Sequence, residues 1–162
     1  MTPLPSYSES LRDFLASKGI WHRFVEFNEP VKTVEQASRQ VPAEKIVKSI
    51  VMIDSNGLPL LAILRAKHKL SFRKIKKLLE VKDVRLASAE EVLNASGFPA
   101  GGVPPFNSIA RTLLDPKVLT IDTCFVGGGD VDQLLEVKTR DIVEVMSPKI
   151  ADILDDRKAG LR

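Results

Sequence analysis

The chain has 162 residues, a formal net charge of +3 and a hydrophobic fraction of 44%, which fits one globular domain with a substantial core. No apolar run is long enough to span a bilayer, and residues 1–10 lack the apolar segment of a signal peptide. A single cysteine, Cys124, excludes an internal disulfide framework and fits a reducing compartment. We therefore expect a cytoplasmic protein that makes no membrane contact.

Capping signals and hydrophobic spacing predict alternating helices and strands in the first half of the chain. The expected elements are a helix from Ser6 to Gly19, a strand over residues 21–27, a helix from Thr33 to about Gln40, a central strand over 46–53 and a partner strand over 58–64. Asn56 and Gly57 give a strong hairpin signal between the last two strands, because Asn-Gly suits positive φ.

The same signals continue through the second half of the chain. The expected elements are a helix over 72–79 capped by Ser71, a strand over 84–86, a helix from Ser88 to Gly97, strands over 118–121 and 134–137, helices over 139–145 and 148–154, and a polar tail from about residue 155. Hairpins mixed with helices predict a single α+β domain over residues 1–162, built around a mixed, curved sheet.

Lys48 interrupts the best predicted strand. Period-two alternation places it on one face with Ile46, Ile50 and Met52. A lysine on such a face is paired, extends its ammonium group to the edge of the sheet, or points into a polar cavity. In a cavity it would provide a cation for a phosphate or for a developing negative charge.

Residues 97–106 contain three glycines and three prolines together with two phenylalanines. Proline fixes φ and glycine permits conformations that other residues avoid, so the loop has a defined shape with open backbone groups. Gly101 and Gly102 could offer carbonyls to an ammonium group and amides to a carbonyl oxygen. The alternative is an ordinary connector that follows a helix.

The chain shows no familiar catalytic or cofactor motif. The glycine cluster over residues 127–130 matches neither the dinucleotide nor the P-loop pattern. Ser49 is next to Lys48 but faces the opposite side of the strand, and Asp122 either enters a site or caps a turn. We expect no metal and no cofactor, so an enzyme of this kind would depend on positioning, desolvation and backbone polarisation.

Basic residues are concentrated between Arg65 and Leu79, where Asp and Glu are absent. Such a run is either a solvated helix face or a patch that contacts the phosphates of a nucleic acid. The residues that we expect to contact RNA are Arg65, Lys67, Lys69 and Arg73.

Taken in order, several segments resemble the YbaK family of aminoacyl-tRNA deacylases, which shares its fold with the editing domain of bacterial-type prolyl-tRNA synthetases. The segments are residues 33–37 (TVEQA), 46–51 (IVKSIV), 86–91 (LASAEE), 97–106 (GFPAGGVPPF) and 120–122 (TID). The resemblance implies a barrel-like curved sheet surrounded by helices. It also implies a free-standing trans-editing hydrolase that cuts the ester between a wrong, small amino acid (alanine, cysteine, serine or proline) and the terminal adenosine of a tRNA.

By motif match, the resemblance assigns Lys48, Gly101 and Asp122 to catalysis. Lys48 would help to hold the tRNA end, and the backbone of the loop from Gly101 to Pro105 would position the aminoacyl group. The residues assigned to substrate binding are Ser49, Gly102, Pro105, Phe106, Gly128 and Gly129. The sequence departs from the family at Ala66 and Lys67, where many relatives carry Gly-Asp. That departure bears on substrate preference, because it replaces an acid with a base beside the basic run.

The sequence leaves a different class of function open. A non-catalytic adaptor that binds tRNA or aminoacyl-adenosine beside a synthetase would keep the same pocket and the same basic run. A small-molecule esterase or a nucleotide-binding protein is disfavoured, because the nucleophile and phosphate-loop motifs are missing. We expect charged tRNA as the partner, a synthetase as a further candidate partner, and a monomer or a homodimer.

Overall fold

The computed structural model describes residues 6–156, which form five α-helices and two β-sheets. The helices are α1 (Tyr7–Ser17), α2 (Val34–Ala37), α3 (Phe72–Leu79), α4 (Ala89–Ser96) and α5 (Thr139–Met146). The strands are β1 (His22–Glu26), β2 (Val47–Asp54), β3 (Pro59–Arg65), β4 (Val84–Leu86), β5 (Thr112–Leu114), β6 (Thr123–Gly127), β7 (Gln133–Lys138) and β8 (Lys149–Ile150). The predicted α+β class is confirmed.

The smaller sheet is antiparallel, with the strand order β1-β7-β6. The larger sheet has the order β4-β2-β3-β5-β8 and is mixed, because β5 runs parallel to both of its neighbours. A parallel bridge between Ile46 and Phe125 connects the two sheets and places β6 beside the beginning of β2. The mixed, curved arrangement is confirmed, but the strands curl loosely and do not close into a barrel.

The hairpin of β2 and β3 forms the centre of the larger sheet. Asp54 closes its turn, because the carboxylate accepts the N–H groups of Asn56 at 2.8 Å and of Leu58 at 3.0 Å. Gly57 adopts a φ of 79°, as the Asn-Gly signal predicted. Leu60 to Leu64 are fully buried, so β3 is covered on both faces and fixes the position of β2 beside it.

The second helix is shorter than predicted, and its cap differs. The Thr33 hydroxyl accepts the N–H of Gln36 at 3.1 Å, as a cap should. The side-chain oxygen of Gln36, however, accepts the N–H of Lys32 instead of completing a capping box. The helix ends at Ala37, after which the Ser38 hydroxyl donates to the carbonyl oxygen of Glu35.

Two predicted elements are wrong, and three strands, β5, β6 and β8, were missed. Residues 118–120 belong to a 3₁₀-helix, Pro116–Thr120, because the Asp115 carboxylate caps its first turn and Pro116 fixes φ there; Ile121 follows it in an extended conformation. Residues 148–154 do not form a helix: they contain β8 and an extended segment that fills the core with Ile153. Strand β5 lies between β3 and β8 and was not predicted.

The end of the described chain is tied to the fold. The N–H of Ala151 donates to Leu114 at 3.1 Å, and the N–H of Asp155 donates to Lys69 at 2.9 Å. The predicted polar tail lies, from residue 157 onward, outside the described residues. None of the helices described is long and apolar enough to cross a membrane.

Candidate active site

A cleft of about 350 Å³ opens where β2 and β6 separate, beyond the bridge between Ile46 and Phe125. β4 pairs with β2 only from Met52 onward, so the edge of β2 between these points is uncovered. The cleft is lined by Val31, Lys32, Thr33, Val34, Ala37, Ile46, Val47, Lys48, Ser49, Ile50, Gly101, Val103, Phe125, Val126, Gly127 and Leu134.

The backbone of Ser49 faces the uncovered edge of β2. The carbonyl of Ile46 accepts the N–H of Ala66 toward β3, whereas the carbonyl of Val51 accepts the N–H of Ala87 on the opposite side. Because backbone groups alternate along a strand, the N–H and C=O of Ser49 point away from β3. They are therefore available to a ligand in the cleft.

Lys48 lies on the wall of this cleft, on the strand face that the alternation predicted. Ile46 on one side belongs to an apolar cluster with Ala37 and Phe125, and Ile50 on the other packs against a second apolar cluster. The side chain of Lys48 is half-buried and has no hydrogen bond or ion pair within residues 6–156. Burial lowers the pKa of Lys48 below the ordinary lysine value.

The positive charge of Lys69 also lowers the pKa of Lys48, in addition to the effect of burial. Burial of a lysine amine disfavours its charged form, and a nearby positive charge disfavours that form further. Lys48 therefore sits in a place where an anionic ligand would relieve both effects.

The hydroxyl of Ser49 is a second unpartnered group, on the face of β2 opposite Lys48. Its oxygen is buried and has no hydrogen-bond partner among the described residues. Val47 and Val51, on the same face of the strand, both belong to the main apolar core. A buried hydroxyl without a partner is costly, but this oxygen faces the core, so the backbone of Ser49 is what the residue offers to a ligand in the cleft.

Gly101 is placed in the cleft by the turn that precedes it. The N–H of Gly102 donates to the carbonyl oxygen of Pro99 at 2.9 Å, and Gly101 adopts a φ of +91°. A Cβ on Gly101 would meet Val131 at an ordinary van der Waals distance of 3.7 Å. Glycine is therefore required by the positive φ and not by a lack of space. Gly101 lines the cleft, and the approach of this loop to a ligand stays a prediction.

The other glycines hold two loops together. The N–H of Gly129 donates to the carbonyl oxygen of Gly102 at 2.8 Å, and a Cβ on Gly102 would lie 2.2 Å from the oxygen of Gly129. A Cβ on Gly127 would lie 2.3 Å from the carbonyl oxygen of Val103. Only glycine permits this approach, which positions the two loop segments that line the cleft.

The structure separates the predicted substrate residues into two groups. Ser49 lines the cleft with Lys48 and Gly101, whereas the remaining five are not among the lining residues: Gly102, Pro105, Phe106, Gly128 and Gly129. Phe106 is 3% exposed and packs in the main core. Direct substrate contact by these five stays a prediction, and their observed contacts are structural.

Asp122 is not brought together with Lys48. It lies before β6, in a separate cavity that Lys138, Thr139 and Arg140 also line. Its backbone carbonyl accepts the N–H of Thr139 at 2.9 Å, which links it to the start of α5. The catalytic role assigned to Asp122 by resemblance stays a prediction that this placement does not support.

The cleft combines positive charge with an apolar floor. Its lining contains two lysines, Lys32 and Lys48, and no Asp, Glu, His or Cys. No group of side chains within residues 6–156 is arranged to hold a metal ion. The arrangement suits an anionic ligand with a small apolar part, held by cations and backbone groups.

Residues 28–145, which include the whole cleft lining, match the model of the aminoacyl-tRNA editing domain family. The chain belongs to this family. The YbaK-type resemblance drawn from the motifs is thereby confirmed.

Curated relatives of this editing domain are proline–tRNA ligases. The chain is 33% identical to the enzyme of Thermotoga neapolitana over 104 residues, which cover 63% of this chain and 18% of that protein. It is 30% identical to the enzyme of Burkholderia ambifaria over 126 residues, which cover 73% of this chain and 21% of that protein. The chain thus spans about a fifth of the length of these relatives.

Solved structures share the fold of this editing domain across its length. The hypothetical protein APE2540 superposes with a TM-score of 0.80 at 28% identity, covering 91% of this chain and all of that one. A protein described as a proposed trans-editing enzyme for prolyl tRNA synthetase gives a TM-score of 0.82 at 24% identity. The superposition covers 94% of this chain and 99% of that one. At that identity the second likeness concerns the fold.

The basic run of the editing domain is less positive than its sequence indicated. Glu44, from the segment before β2, accepts hydrogen bonds from Arg65 at 2.9 Å and from Lys67 at 3.1 Å. Lys69 and Arg73 are exposed and have no ion pair within the described chain. Acids that are distant in sequence therefore neutralise part of the predicted RNA-binding set.

Lys32, Val103 and Gly127 line the cleft, although the sequence analysis did not assign them to a site. Lys32 precedes the helix cap that was predicted at Thr33. A capping signal shows where a helix starts, but it does not show which part of the fold the helix packs against. Gly127 belongs to the glycine cluster that was noted, and its close contact with Val103 depends on the fold.

Proposed function

We propose that this chain hydrolyses the ester that joins a wrong amino acid to the 3′ end of a tRNA. The strongest support comes from Lys48, which is half-buried, has no partner among residues 6–156 and lies in a cleft without acidic lining. A fixed cation at such a place stabilises a bound phosphate or a developing oxyanion. Membership of the editing family and the likeness to a proposed trans-editing enzyme point to the same activity.

The lining offers no nucleophile paired with a base, so the attacking group comes from outside the protein. In the proposed step, water attacks the ester carbon, either of the original ester or after the free ribose hydroxyl has taken over the acyl group, and the water gives up a proton while the carbonyl oxygen becomes an oxyanion. The ribose oxygen then leaves and takes up a proton. Lys48 and the backbone near Gly101 are proposed to hold the substrate and to stabilise the charge that develops.

Selection of the amino acid is proposed to depend on the apolar floor of the cleft. The residues that form this floor are Val31, Ala37, Ile46, Phe125 and Leu134. One methylene group changes binding in such a pocket by about 1–3 kcal/mol, so a tight floor would admit small side chains and reject large ones. Alanine, cysteine, serine and proline are the proposed substrate class.

The proposed setting is the cytoplasm, with the chain acting in trans as a monomer or a homodimer. Its curated relatives carry the matching region within proline–tRNA ligases, of which it spans about a fifth. A proline–tRNA ligase is therefore the synthetase that we propose as a candidate partner.

A deacylation assay tests this function. tRNAs charged with alanine, cysteine, serine, threonine and proline are incubated with the wild-type protein, with Lys48→Ala and with Lys82→Ala. Lys82 is exposed and lies outside the cleft, so its variant is the matched control. We expect fast loss of one or two small amino acids, reduced about a hundredfold or more by Lys48→Ala only.

The same assay distinguishes hydrolysis from adaptor function. The lining carries no general base, which is also what a non-catalytic adaptor would show. Saturable binding of charged tRNA without loss of amino acid from any member of the panel would reject hydrolysis and favour the adaptor.

A further inference from the structure

Tyr7 and Phe98 form an aromatic pair beside the glycine loops. Their ring centroids are 6.3 Å apart, with the planes inclined at 51°. Tyr7 is 40% exposed, whereas Phe98 is partly buried and packs against the main core. The side chain of Tyr7 has no hydrogen bond within the described residues. The pair therefore presents aromatic surface on a rigid support.

The position of Tyr7 is fixed by the residue that follows it. The Ser8 hydroxyl donates to the carbonyl oxygen of Gly128 at 2.6 Å and accepts the N–H of Asp130 at 3.1 Å. The N–H of Ser8 in turn donates to the Asp130 carboxylate at 3.2 Å. These bonds attach the start of α1 to the second glycine loop and do not involve the Tyr7 ring.

A short series of contacts connects Tyr7 to the cleft. A Cβ on Gly129 would lie 2.8 Å from the backbone carbonyl of Tyr7, so the two backbones touch. Gly129 is hydrogen-bonded to Gly102, and Gly102 follows Gly101, which lines the cleft. The exposed ring thus lies beside the loop that borders the cleft.

We propose that Tyr7, supported by Phe98, stacks on the terminal adenine of the tRNA while the aminoacyl ester occupies the cleft. The inference rests on the proposed function, since it assumes that the ligand is the 3′ end of an RNA. Single-stranded RNA ends bind through stacking of bases on aromatic rings, combined with cations for the phosphates. Lys32 and Lys48 provide such cations in the adjacent cleft.

The test measures binding, which does not require turnover. The probes are an RNA hairpin that ends in single-stranded CCA and the same hairpin with an abasic terminal nucleotide. The proteins are the wild type, Tyr7→Leu, Tyr7→Phe and, as a control for an exposed aromatic elsewhere, Trp21→Leu; Trp21 is 46% exposed and outside the cleft.

We expect the wild type to bind the CCA hairpin on the order of tenfold more tightly than the abasic hairpin. Tyr7→Leu should lose this difference, whereas Tyr7→Phe and Trp21→Leu should keep it. An unchanged preference in Tyr7→Leu would overturn the stacking role. AMP that binds as tightly as the hairpin, and depends on Tyr7, would overturn it in favour of a free nucleotide. A wild type that binds neither hairpin would contradict the proposed function as well, whereas base-dependent binding without deacylation would contradict hydrolysis alone.

Discussion

The N–H of Gly129 donates to the carbonyl oxygen of Gly102 at 2.8 Å, and this contact joins the two loops behind the cleft. The approach leaves no room for a side chain, since a Cβ on Gly102 would lie 2.2 Å from the oxygen of Gly129. Gly101 and Gly127, which line the cleft, are neighbours in sequence of these tightly packed positions. The geometry of the cleft therefore depends on glycines that do not line it.

Gly102→Ala is expected to lower the free energy of unfolding by about 2–3 kcal/mol, because backbone must move to admit the methyl group. Gly97→Ala is the matched control: Gly97 has a φ of +82° but no heavy atom near its Cβ position. The control should lose only about 1 kcal/mol, from the left-handed conformation. Urea denaturation measures both, and an equal loss in the two variants would contradict the proposed packing role.

Lys48→Met is expected to raise the free energy of unfolding by up to about 1 kcal/mol while it removes deacylation. Burial and Lys69 both lower the pKa of Lys48, so its charged form destabilises the fold at neutral pH. Thermal unfolding and the deacylation assay measure the two effects. Lys82→Met should change neither, and a destabilised but active Lys48→Met would refute the idea that function requires this unpaired cation.

Lys69→Ala is expected to raise the pKa of Lys48 toward the ordinary lysine value, because it removes a repelling charge. Burial, the larger cause, remains, so the pKa should stay below that value. The alkaline loss of charge on Lys48 would then occur at a higher pH. NMR titration of the Lys48 Cε resonance, assigned with Lys48→Met, measures the shift; Lys76→Ala is the control, and an unchanged or lowered pKa in Lys69→Ala would be the contrary result.

Glu44→Gln is expected to strengthen RNA binding about two- to fivefold at low salt, since it frees Arg65 and Lys67 from an opposing charge. Glu90→Gln, an exposed change away from these residues, should have a smaller effect. Binding of a CCA hairpin at several salt concentrations measures both. Weaker binding by Glu44→Gln would show instead that Glu44 positions the two cations for the RNA.

Short-range signals allowed most of the fold to be predicted from the sequence. The hydroxyls of Ser6, Ser71 and Ser88 each cap the helix that was predicted to follow them, because a cap involves residues only three apart. The Asn-Gly turn is equally local. The predicted strand around Val118 and the predicted helix around Ile153 are wrong, and both residues are fully buried. Burial explains why a segment is apolar, but it does not decide between helix, strand and extended chain.

The site was predicted in part for the same reason. Lys48 and Gly101 were identified because a lysine in an apolar strand and a glycine in a proline-rich loop are unusual in the sequence itself, before any contact is known. Asp122 was assigned with them, although it precedes β6 and lines a different cavity from Lys48 and Gly101. The role of Glu44 as a partner of Arg65 could not be predicted, because no local pattern connects the two residues.

The rate at which charged tRNA loses its amino acid in a single turnover, with the protein in excess, tests the central claim most directly. The account predicts that the wild type and Lys82→Ala accelerate hydrolysis equally for a small amino acid. It predicts that Lys48→Ala binds more weakly and hydrolyses about a hundredfold or more slowly at saturation. A Lys48→Ala protein that hydrolyses the ester at the wild-type rate would contradict the assignment of this cleft as the active site.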